Sequence, residues 1–143
     1  MSNAFRRRGR RLDGGRSRSH LEDLDDWYDD ASSTIENLDT CLSIIRSMLT
    51  GSPESNLRIA QSLSGLLLDA ELWLLTHPCP DKWNGEYMLD VVGVFVEIGQ
   101  EIVQADGDAM ATPGDLGQEI DVAVDLVANL RDLAHQVAQA VRG

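Results

Sequence analysis

The sequence predicts an all-α fold: a four-helix up-and-down antiparallel bundle behind a disordered, arginine-rich N-terminal arm. Three observations lead there. Apolar residues recur at spacings of three and four along four stretches, prolines and glycines fall between those stretches, and no segment has the period-two alternation of a half-buried strand. With 143 residues, 43% of them hydrophobic, the chain fits one domain with one core.

Residues 1–18 hold Arg6, Arg7, Arg8, Arg10, Arg11, Arg16 and Arg18, three glycines and almost nothing to bury. Such a composition stays disordered in isolation, so the bundle is expected to occupy residues 19–143. Its first helix is predicted over about 20–50, with Leu21, Leu24, Tyr28, Ala31, Ile35, Leu38, Leu42, Ile45 and Leu49 on one stripe. Ser19 suits its N-cap, and Gly51 suits a left-handed residue beyond its end.

Ser52-Pro53 supplies a cap and a first-turn proline for a second helix over about 53–77, which Pro78-Cys79-Pro80 must stop. This helix is apolar over far more than one stripe. Its core line is centred on Leu67, flanked by Ile59, Leu66 and Trp73 on one side and Leu68, Leu72 and Leu75 on the other, with only Ser62, Gly65 and Asp69 as a polar strip. A helix so apolar is either central or shared, so both flanks are candidates for a protein interface or a homodimer contact.

The third helix is expected over about 86–105, with Met88, Val91, Phe95, Ile98 and Ile102 on its stripe, and Asp106-Gly107-Asp108 breaks it. Thr112-Pro113 reads as the start of the fourth, over about 113–142, carrying Leu116, Ile120, Ala123, Val127, Leu130, Ala134 and Val137. In the turn between helices two and three, Trp83 is expected to fold over the end of the bundle.

The formal charge of −12 joins opposite populations: seven arginines against Asp13 in the first twenty residues, and five basic against twenty-three acidic side chains in the rest. Arginine forks phosphate oxygens, so nucleic acid or an acidic surface is expected to meet the arm only, since the body would repel a phosphate backbone. The acidic run Glu22, Asp23, Asp25, Asp26, Asp29, Asp30 reads as a solvated face at a favourable helix end. No run of apolar residues is long enough for a membrane span or a secretory signal, and the expected compartment is the cytoplasm.

Glu71 projects into the apolar arc of the second helix, and Arg46 and Arg131 lie within the arcs of the first and fourth. A buried ion pair of Glu71 with one of them is the expectation. His77, Cys79 and Asp81 lack a second Cys/His pair for zinc, and Asp132 with His135 is half of a di-iron pattern whose other half is missing. There is no phosphate loop and no nucleophile with a local base, so no catalytic, cofactor or metal residue is assigned. The function expected is a non-enzymatic interaction or adaptor module. Two alternatives stand beside it: a small magnesium-dependent all-α nucleotide hydrolase using Glu71, Glu97 or Glu101, and an acidic mimic acting as an inhibitor.

Overall fold

The structure, a computed structural model, describes residues 19–143; the seven arginines of the arm lie outside the described residues. The fold is all-α, with no strand among the described residues. Five helices, α1 (His20–Asp30), α2 (Ser32–Met48), α3 (Pro53–Thr76), α4 (Lys82–Gln104) and α5 (Leu116–Arg142), are accompanied by a short 3-10 turn at Ala109–Ala111.

The sequence predicts four helices; the first is divided. At Ala31 the backbone turns to φ −80° and ψ −5°, although the N–H of Ala31 still bonds the carbonyl of Trp27 and that of Ile35 bonds Ala31. The surrounding Asp29-Asp30-Ala31-Ser32-Ser33-Thr34 is poor in helix formers and rich in side chains that compete for backbone groups, which explains a break at this point. Ala31 itself is fully buried.

Every helix start except that of α2, which follows Ala31, has a side-chain cap. Ser19 and Glu22 form a reciprocal capping box, both bonds being 3.1 Å. Ser52 accepts from the N–H of Ser55 with Pro53 in the first turn, as expected. Asp81 accepts from the N–H of Asn84 at 2.9 Å and so starts α4 four residues before the predicted position. Asp115, and not Thr112, caps α5 through the N–H of Gln118 at 3.1 Å; the Thr112 hydroxyl instead bonds the carbonyls of Ala109 and Gly114 within the loop. Trp83 consequently lies in the first turn of α4, 59% exposed and stacked on Tyr87, rather than over the bundle end.

The helix ends also differ from expectation. Gly51 is not left-handed; a side chain there would collide with Asn56. Asn56 is fully buried and donates to the carbonyls of Met48 (2.9 Å) and Gly107 (2.8 Å), fastening the end of α2 to the loop after α4. That loop is a Schellman closure. Asp106 and Gly107 take φ of 54° and 85°, and their N–H groups bond Val103 and Ile102. Gly107 has no room for a side chain, because Pro53 presses against it.

The core is one continuous cluster built from the predicted stripes, with Leu38, Ile45, Leu63, Phe95, Ile98, Ile102 and Leu130 fully enclosed. α3 packs on α2 and α4, while α5 packs on α1, α2 and α4. Trp27 closes the opposite end. Its indole N–H donates 2.8 Å to the carbonyl of His77, and its ring contacts Tyr28 and Trp73. Cys41 and Cys79 are both free thiols, and burial pushes that of Cys41 up to about 11.

Candidate functional site

The two flanks of α3 have different fates. Ile59, Leu66 and Trp73 are half-buried and pack against the core, with Trp73 against Trp27 and stacked on His77 at 4.5 Å. Leu68, Leu72 and Leu75 are 54%, 51% and 69% exposed. The asymmetry follows from placement: α1 and α2 cover one flank, whereas α4 sits close to the core line and leaves the other open.

Between α3 and α4 runs a groove of about 580 Å³, floored by Ala60, Leu63, Leu67 and Gly99 and bordered by Leu68, Glu71, Val96 and Val103. Val103 and Leu89 of α4 are exposed as well. Sequence reasoning missed these two. The available signal was the exact sevenfold spacing of Leu89, Val96 and Val103, a second apolar line beside the predicted core stripe. Six of the large hydrophobics exposed among the described residues thus belong to α3 and α4: Leu68, Leu72, Leu75, Trp83, Leu89 and Val103.

The predicted buried ion pair is not formed. Glu71 and Arg46 are exposed, and Arg131 instead pairs with Asp39 of α2 at 2.8 Å, each about half exposed. Glu71 lies on the α4 side of α3, on the rim of the open groove, where water reaches it. Projection within an apolar arc did not mean burial, because the neighbouring helix fills only part of the arc.

Glu71, Glu97 and Glu101 are not gathered into a cluster; among the described residues, the carboxylates whose ligand atoms lie within 4.8 Å of one another in a group of three are Asp25, Asp26 and Asp29. Burial, then Asp26 and Asp30, raise the Asp29 carboxyl. His135 is exposed and borders a second groove of about 550 Å³ with Tyr28, Asp29, Arg131 and Arg142. Asp81 is held below the ordinary carboxylate range by the N–H and side chain of Asn84. No helix among the described residues is long and apolar enough to cross a membrane. Set against protein families, curated proteins and solved structures, the chain matches none.

Proposed function

We propose that the protein is a non-enzymatic docking module whose α3–α4 face receives a cationic protein partner. Taking α1 and α2 as one interrupted helix, the scaffold is an up-and-down antiparallel four-helix bundle, and the cytoplasm is its compartment. The observation that carries the reading is the row Leu68, Leu72, Leu75, left exposed on one flank of α3, with Leu68 lining the apolar-floored groove, while the opposite flank of the same helix is covered. Scattered exposed leucines are ordinary, but a contiguous row that leads into a groove is the pattern of an interaction surface. Positive charge in the partner follows from the Glu71 carboxylate lining the groove and from the exposed Asp69, Asp90 and Glu97 of the same two helices. The arginines at positions 6–18 would add a second contact, to nucleic acid or another acidic surface, by their composition.

A photo-crosslinking amino acid placed at Leu72, compared with one at Val122, tests the reading in cells. Val122 is also exposed but lies on α5. The expected outcome is a discrete protein adduct from position 72 alone that re-forms with the purified partner. Equal labelling from both positions refutes the docking face.

A further inference from the structure

We infer that the element seated on the α3–α4 face is a single amphipathic α-helix with a basic rim, contributed by another protein; the inference rests on the docking role and names the occupant. The backbone argument excludes an extended segment. α3 and α4 are helical throughout the groove, so their N–H and C=O groups are engaged within the helices, and the described residues offer no sheet edge. An extended chain lying on Leu63, Leu67 and Gly99 would desolvate a row of its own backbone groups with only the scattered side chains of Ser64, Gln100 and Gln104 to bond them. A helix brings its hydrogen bonds with it.

Spacing agrees. Leu68, Leu72 and Leu75 stand at i, i+4 and i+7, a row about 10 Å long at 1.5 Å per residue. A partner helix with apolar residues at the same intervals presents a row of equal length, and a ridge beside a groove is how helices pack.

Charge then selects the rim. From Asp69 to Glu97, α3 and α4 bear the exposed Asp69, Glu71, Glu86, Asp90 and Glu97 against one cation, Lys82, which lies 3.8 Å from Glu86, and Glu71 lines the groove itself. A second copy of this face would set acid against acid, whereas lysine or arginine stems would cover the leucines and carry their charges to the carboxylates.

The probe is a fluorescein-labelled peptide of about five helical turns, made of leucine and lysine with leucines at i, i+3, i+4 and i+7. One control has the same composition with leucine and lysine alternating; another keeps the helical pattern with glutamate in place of lysine. With the full chain, anisotropy should show saturable binding of the helical lysine peptide. Binding should be about tenfold weaker or worse for both controls and for Leu72→Ser, and unchanged for Val122→Ser. If circular dichroism shows that Leu72→Ser perturbs the fold, Gly99→Leu replaces it, since its Cβ would lie 3.5 Å from Leu63 and its side chain would fill the groove. Equal binding of the alternating peptide, preference for the glutamate peptide, or indifference to both substitutions overturns the inference. So does a dimer in sedimentation that Leu72→Ser dissolves. A crosslinked partner at position 72 without helical preference in the peptides removes the helix and leaves the docking role standing; failure of both removes the two together.

Discussion

The hydroxyl of Tyr28 in α1 donates a 2.7 Å hydrogen bond to Oδ1 of Asn84 in α4, and both residues are buried. Burial, then the nearby Cys79 and Asp81, raise the phenol, so it stays a donor across the neutral range. Asn84 in turn gives its side-chain N–H to Asp81 at 2.6 Å, which ties α1 to the cap of α4. Tyr28→Phe keeps the ring and strands a buried acceptor, at an expected cost of about 1–3 kcal/mol. Denaturant unfolding of Tyr28→Phe, Asn84→Ala and the double variant measures it. Simple additivity of the two single effects would show that the bond contributes nothing.

The unequal flanks of α3 make a second contrast. Trp73→Ala removes a half-buried ring from the aromatic group with Trp27 and His77 and should cost about 2–4 kcal/mol. Leu72→Ser changes an exposed position and should stay within about 0.5 kcal/mol of zero. Thermal melts of both decide it, and comparable losses would mean that Leu72 is covered in the folded chain.

The periodic stripes made most of the core legible: Leu24, Ile35, Leu38, Ile45, Leu67, Phe95, Ile98, Ile120 and Leu130 are buried where a spacing of three and four puts them. That pattern reports which side of a helix is apolar, and not how much of it a neighbour covers. Leu66 and Leu68 are therefore equivalent in sequence and opposite in structure. The start of α4 was hidden for a local reason. Pro78 and Pro80 advertise a loop, Gly85 prolongs the appearance, and the capping bond of Asp81 to Asn84 has no apolar periodicity to announce it. The division at Ala31 was hidden because the stripe passes through it unbroken.

Glu71 and Arg131 illustrate the same lesson with charges. Glu71→Ala and Asp69→Ala should both have small and similar effects, because both side chains are exposed. Arg131→Ala should cost less than about 1 kcal/mol, since its pair with Asp39 is half exposed and open to screening. A loss of several kcal/mol in Glu71→Ala alone, measured in urea, would restore the buried pair and reject this placement.

Glu119 of α5 gives the pH dependence. One oxygen of Glu119 and one of Glu101 on α4 are shut off from solvent, and the two carboxyls can hydrogen-bond each other only when one of them carries a proton. Burial first, then the adjoining Glu101 carboxyl, then Glu97 and Asp115, push Glu119 up to about 7 from its ordinary 4.5. The folded chain therefore holds a proton that the unfolded chain releases more readily. The stabilisation is complete below about 4.5 and is lost as pH rises through about 7. Asp81 works in the opposite sense, its contribution fading only as pH falls below its ordinary 3.8, so the two windows are separate. Between pH 5 and 8 the midpoint of thermal unfolding should thus fall with rising pH. Glu119→Gln, which cannot ionise, should flatten that slope and melt higher than the parent at pH 8. An identical slope in the variant would show that Glu119 ionises as freely in the folded chain as in the unfolded one.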